Sequence, residues 1–242
     1  MQAALIGSLI SAMATVIGAL PILFIKRLSE QWKDTLIAFT AGIMVSAATS
    51  SLIPQAIEES NPYLLTLGLL MGVVVLDLIE KSTPHLHVEN LGFESMSNQT
   101  LLVIIALSLH NIPEGLSTGF SYASANESLG FIVALAIGVQ NMPEGLILAV
   151  FLVHSHVSRL KSLLLVTLTG LMELLSAFVG YFAAGSISSI IGLGLAFAAG
   201  AMLFIVYKEL IPESHGHGYE RQSTYSFIAG LLVMIYITHF FG

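Results

Sequence analysis

The chain has 242 residues, 55% of them hydrophobic and only 10% charged, with a formal net charge of −7. A soluble domain is about 25% charged, and the mean hydropathy here is +0.88, so a soluble globular fold is excluded in favour of a polytopic membrane protein. The acidic balance argues against a nucleic-acid partner, and the lack of Cys excludes disulfides and thiolate ligands.

Runs of about 20 apolar residues mark membrane spans. Eight are expected, at about 2–25, 35–57, 62–80, 100–122, 129–153, 163–184, 187–210 and 225–241. The first run has no basic residue before it and no small-residue cleavage site, so it reads as a span rather than a cleaved signal peptide. With eight spans, all the basic residues (Lys26, Arg27, Lys33, Lys81, Arg159, Lys161, Lys208 and Arg221) fall in or beside alternate connections. Lys and Arg mark cytoplasmic loops. The expectation is a multi-pass protein of the cell (inner or plasma) membrane with both termini extracytoplasmic.

An internal repeat overlies this order. Ala38-Phe39-Thr40-Ala41-Gly42-Ile43-Met44 reads against Ala196-Phe197-Ala198-Ala199-Gly200-Ala201-Met202, and Leu52-Ile53-Pro54 against Leu210-Ile211-Pro212, at one offset of 158 residues. The second span therefore resembles the seventh, which crosses the membrane in the opposite direction. Such inverted repeats are common in transporters with midplane sites; the alternative is chance similarity between two Ala/Gly-rich helices. The predicted fold class is an all-α polytopic membrane protein in a 3+2+3 arrangement. One transporter domain covers 1–242: repeat one at about 1–80, a cytoplasmic loop at 81–99, a metal-site helix pair at about 100–153 and repeat two at about 163–242.

The chemistry lies in the fourth and fifth spans. One carries His110-Asn111-Ile112-Pro113-Glu114-Gly115 and the other Gln140-Asn141-Met142-Pro143-Glu144-Gly145. A carboxylate in hydrocarbon costs about 2.5–3.5 kcal/mol on insertion scales, so an intramembrane Glu is a functional-site hypothesis by default. Residues three and four apart share a helix face. One face of the fourth span therefore offers an imidazole, an amide and a carboxylate, and the fifth offers Gln140, Asn141 and Glu144. Pro113 and Pro143 remove amide donors and crowd the preceding turn, while Gly115 and Gly145 allow close helix approach. One imidazole with carboxylates and amide oxygens suits zinc, with Mn, Fe(II), Co and Cd chemically accessible. The alternative is a hydrogen-bonded structural network with one Glu protonated.

Glu173, in the middle third of the sixth span, is expected to reach the same site; otherwise it is a protonated Glu bonded to a backbone carbonyl. Asp77 lines a cytoplasmic exit or is an interfacial charge near Lys81. The loop pairs His85/His87, His154/His156 and His215/His217 all fall on the predicted cytoplasmic side, as metal ligands or as solvated loop histidines.

On His-Asn-x-Pro-Glu-Gly at 110–115, x-Asn-x-Pro-Glu-Gly at 140–145 and Glu-Leu-Ile-Pro-Glu at 209–213, the chain resembles the ZIP (zinc/iron permease) family of divalent-metal transporters over essentially its whole length. Gln140 and Gly145 stand where many members have His and a second acidic or His residue, a departure that resembles the GufA-like prokaryotic branch and leaves metal preference open. The resemblance implies a binuclear centre holding two ions: a transport site of His110, Glu114, Gln140 and Glu144, and a neighbouring site of Asn111, Asn141, Glu114, Glu144 and Glu173. It further implies that Met44, otherwise a packing Met in an Ala-rich helix, approaches the transport site, that Glu209 is an inner-exit acid preceded here by Lys208 instead of His, and that His85 and His87 belong to a metal-receiving loop. The inward direction and an elevator-like motion come from the family alone. The partners implied are divalent metal ions, zinc or cadmium among them, and the lipid bilayer, with a homodimer left open. Two other classes compete: a membrane metal sensor without flux, and an intramembrane metallohydrolase, which the missing His-Glu-x-x-His string disfavours. No P-loop is present, so no ATP-driven step is expected.

Overall fold

The computed structural model describes residues 1–25, 27–82, 96–186 and 190–242. His85 and His87 lie outside them. The described residues form helices and no strand. In chain order these are α1 (Gln2–Ala19), α2 (Glu30–Ala47), α3 (Ile53–Glu59), α4 (Pro62–Ser82), α5 (Met96–Ala123), α6 (Leu129–His154), α7 (Arg159–Ser186), α8 (Ile190–Ile205), α9 (Ile211–Glu213) and α10 (Glu220–Phe241). The motif-bearing fourth and fifth predicted spans are α5 and α6.

Seven of the described helical stretches are long and apolar enough to cross a membrane, and the protein is a multi-pass membrane protein. Several helices outrun their apolar cores because polar residues finish their ends. At α2 the Ser29 hydroxyl accepts from the Trp32 amide, an N-cap that starts the helix five residues before the expected apolar run. Within the predicted 81–99 loop, Lys81 and Ser82 belong to α4, and α5 begins at Met96. At the first span the α-helix stops at Ala19 and a 3-10 turn, Leu20–Leu23, follows. Pro21 explains the change, since it lacks the amide that would bond back to Ile17.

Two π turns interrupt the inner helices. Ala48–Leu52 joins α2 to α3, and Val206–Leu210 joins α8 to α9. In the first the Ile53 amide bonds to the Ala48 carbonyl, and in the second Ile211 bonds to Val206. Each turn is followed by a proline, Pro54 or Pro212. Proline cannot make the regular bond, and a widened turn relieves its clash with the preceding carbonyl.

The closest packing runs through four helix pairs: α5 with α7, α1 with α6, α2 with α10, and α4 with α8. Glycine sets the spacing. A Cβ at Gly42 would lie 2.0 Å from the Phe227 carbonyl oxygen, and one at Gly230 would lie 2.1 Å from that of Phe39. At the repeat-related positions, a Cβ at Gly200 would lie 2.3 Å from the Leu69 oxygen and one at Gly72 2.2 Å from the Phe197 oxygen. Backbones meet here without intervening side chains, which is how helices pack where no hydrophobic gradient drives them together. Ala41, Ile43, Met44, Ala198, Ala201 and Met202 fill the core beside these crossings.

Candidate metal centre

The paired motifs meet inside the bundle. Both α5 and α6 run on through Pro113 and Pro143 without ending. A Cβ at Gly115 would lie 2.1 Å from the Glu173 carbonyl oxygen of α7, and one at Gly145 would lie 2.0 Å from that of Thr15 in α1. The motif glycines thus seat α5 on α7 and α6 on α1. The asparagines tie the same pairs: Asn111 donates to the Thr169 carbonyl at 2.8 Å, and Asn141 to the Ser11 carbonyl at 3.5 Å.

The other polar groups converge between these anchors. Gln140 Nε2 donates to Glu114 Oε1 at 2.7 Å. Glu173 accepts from the Ser11 hydroxyl at 2.5 Å and from Asn141 Nδ2 at 2.7 Å. His110 Nε2 lies 3.1 Å from Glu209 Oε2. Glu209 and Glu144 both stand near the His110 ring, and Glu144 and Glu173 near Glu114. Asn111, Glu114, Gln140, Asn141 and Glu173 are buried, while His110, Glu144 and Glu209 are half-buried.

Three oxygens in this layer have no hydrogen-bond donor: Glu114 Oε2, Gln140 Oε1 and Asn141 Oδ1. Leaving a buried acceptor unpaired costs about 1–3 kcal/mol, and more for a charged one. All three belong to the motifs, and all are of the hard type that a divalent cation satisfies.

The family model described as ZIP Zinc transporter matches residues 79–238. The chain belongs to the ZIP family. Its relatives include the zinc transporter GufA of Myxococcus xanthus, 35% identical over 97% of both chains. They also include the zinc transporter ZIPB of Bordetella bronchiseptica, 31% identical over 97% of this chain and 80% of that one. A zinc transporter ZupT of Stenotrophomonas maltophilia is 32% identical over 94% of this chain and 91% of that one. This is therefore a GufA-like ZIP protein, and the family is one of transporters rather than enzymes, which sets the metallohydrolase reading aside.

Of the residues singled out in the sequence, His110, Asn111, Glu114, Gln140, Asn141, Glu144 and Glu173 fall in one polar layer, and Glu209 joins it through His110. Met44 is buried in α2, one turn after Thr40, whose hydroxyl lies 3.4 Å from the Gln140 carbonyl oxygen. Asp77 stands elsewhere, 2.5 Å from Lys81 and 3.6 Å from Lys208, in an ion cluster that Glu80 completes through Lys208. Ser11 escaped the sequence reading, although Ser8, Ser11 and Thr15 form a polar stripe at helical spacing in an apolar span. A second cluster also escaped it. Among the described residues, the trio of His, Asp or Glu ligand atoms that all lie within 4.8 Å of one another is Glu30, Asp34 and His217. The sequence leaves His217 as a choice between a loop ligand and a solvated side chain; the structure sets it against both carboxylates.

Proposed function

We propose that this ZIP protein carries zinc, or a similar divalent transition-metal ion such as Cd, Fe, Mn or Co, across the cell membrane into the cytoplasm. The ion passes through a two-ion site on α5 and α6. The observation that carries the reading is the set of donor-less buried oxygens on Glu114, Gln140 and Asn141, within reach of a histidine and further carboxylates. The zinc named for GufA, ZIPB and ZupT supports the choice of ion. A divalent cation offsets the charge of Glu114, Glu144 and Glu173, which hydrocarbon would otherwise penalise.

Alternating access is the mechanism, with α5 and α6 moving against an inverted repeat of the first three and last three of eight spans. Repeat-related contacts support it. The 158-residue offset carries one π turn onto the other, Gly42 against Phe227 onto Gly200 against Leu69, and Gly230 against Phe39 back onto Gly72 against Phe197. It also carries Ser11, which accepts from Asn141, onto Thr169, which accepts from Asn111. A fold built from two inversely related halves can exchange their conformations, and so open first to one side and then to the other. Basic residues in alternate connections orient both termini outward.

Uptake of radioactive zinc and cadmium into proteoliposomes holding the purified protein tests this reading, with His110→Ala and Glu144→Ala alongside. Saturable uptake lost in both variants is expected. Stoichiometric binding without uptake would replace the carrier by a sensor, and neither would leave only a structural polar network. The ligands must shed protons to take the ion, so uptake should fall as pH drops from about 8 to about 5; flat uptake would remove the carboxylates from control of the site. Light scattering on the same preparation tests the homodimer.

A further inference from the structure

The Glu30, Asp34 and His217 cluster lies apart from the central layer, where α2 begins and where the chain enters α10. His217 Nδ1 is 3.0 Å from Asp34 Oδ1, and His217 Nε2 is 3.5 Å from Glu30 Oε2. Asp34 is fully buried, and its second oxygen, Oδ2, has no hydrogen-bond partner. Glu30 is exposed. An acid in the first turn of a helix is ordinarily explained by the helix dipole. That accounts for Glu30. It does not account for Asp34, a turn further in, wholly buried and with an oxygen unmatched.

We propose that Glu30, Asp34 and His217 form a second divalent transition-metal site, distinct from the one on α5 and α6. Ligands at about 2.0–2.2 Å around a tetrahedral zinc stand about 3.3–3.6 Å from one another. The two measured distances run to different ring nitrogens, of which an ion takes one; a single ligand atom from each residue lies within 4.8 Å of the other two, and rotation of the exposed Glu30 side chain brings all three onto one ion. Lys33, the nearby cation, is held by Glu213 at 3.0 Å. With His217 neutral, three carboxylates and one ammonium leave two net negative charges, matching a divalent ion. Solvent reaches the cluster from the Glu30 side, where water completes the coordination and the ion exchanges. Once bound, the ion ties the start of α2 to the chain entering α10, eight residues beyond the Glu209 that meets His110.

The rival is an ion-pair triad in which His217 is an imidazolium clamped by two carboxylates. The hydrogen bond that His217 donates to the Asp34 carboxylate does raise the His217 pKa, against the burial that would lower it. Zinc binding separates the two readings. The full-length protein in detergent is dialysed to equilibrium against zinc. It is compared with Glu114→Gln/Glu144→Gln, and each of these with Glu30→Gln or His217→Ala added. The expected result is one zinc per chain surviving in the central-site variant, then weakened by at least about tenfold when Glu30 or His217 is changed. Cobalt in place of zinc should give a visible absorption band that disappears with the same changes. A central-site variant that binds no zinc overturns the proposal, as does zinc binding indifferent to Glu30→Gln and His217→Ala. Glu30 is exposed, so its replacement by Gln leaves the packing intact. Should the reading of the α5/α6 site fail instead, Glu114→Gln/Glu144→Gln leaves the zinc count unchanged, while Glu30→Gln still weakens the binding of one ion by at least about tenfold.

Discussion

The two motif helices share an architecture and differ in chemistry. Asn111 on α5 and Asn141 on α6 each donate to a backbone carbonyl of the helix beneath, Thr169 or Ser11. Gly115 and Gly145 each close on a carbonyl oxygen, that of Glu173 or of Thr15. The side chains carried by those last two residues differ. The α7 position bears a carboxylate, bonded to Ser11 and Asn141, whereas its α1 counterpart is a threonine whose hydroxyl has no partner. His110 against Gln140 is a second difference: the histidine meets Glu209, and the glutamine meets Glu114. Repetition thus supplies the scaffold, and substitution within it concentrates negative charge and the single imidazole in one layer.

The largest test of that comparison is to remove a carboxylate from either half. Glu114→Ala and Glu144→Ala should each cut zinc uptake by more than about 100-fold, because even loss of an outer partner costs metal affinity about 10–100-fold. Uptake preserved in one of them would show that the halves are unequal in the one respect the motifs share. Next come the paired glycines. Gly115→Ala and Gly145→Ala should each destabilise the protein by about 1–3 kcal/mol, since a Cβ would press on backbone. Lower thermal midpoints in detergent, similar for both, would confirm equivalent packing. The smallest effects separate Ser11 from Thr15. Ser11→Ala removes a donor to Glu173 and should weaken zinc binding by about tenfold. Thr15→Ala loses no hydrogen bond and should change stability by about 0.5 kcal/mol or less. Equal losses in both would mean that the carboxylate on α7 gives its half no special role.

Much of this was legible in the chain. A doubled Asn-x-Pro-Glu-Gly string in apolar runs signals a costly buried carboxylate twice over, and the structure does bring Glu114, Glu144 and Glu173 within each other's electrostatic reach. The repeated Leu-Ile-Pro strings were legible too, and they mark where both π turns end. The partners of these groups were not. Ser11 is 162 residues from Glu173, and His217 is 183 residues from Asp34. No periodicity connects positions so far apart, and a serine in an apolar helix or a histidine in a polar loop carries little signal alone. Asp77 illustrates the converse: the sequence allowed two roles, and the structure sets it in an ion cluster with Lys81 and Lys208.

The sequence by itself determined the solvent and the raw chemistry. Its apolar runs commit the chain to a bilayer, its motifs commit the fourth and fifth of them to buried carboxylates, and its strings identify the family. Only the tertiary structure decided which groups complete each other: Glu209 on His110, Ser11 on Glu173, and His217 between Glu30 and Asp34. The physical reason is range. Helix formation and membrane partition depend on neighbours within a few turns, whereas a buried polar atom is satisfied by whichever residue the packing delivers within about 3 Å, wherever in the chain it lies.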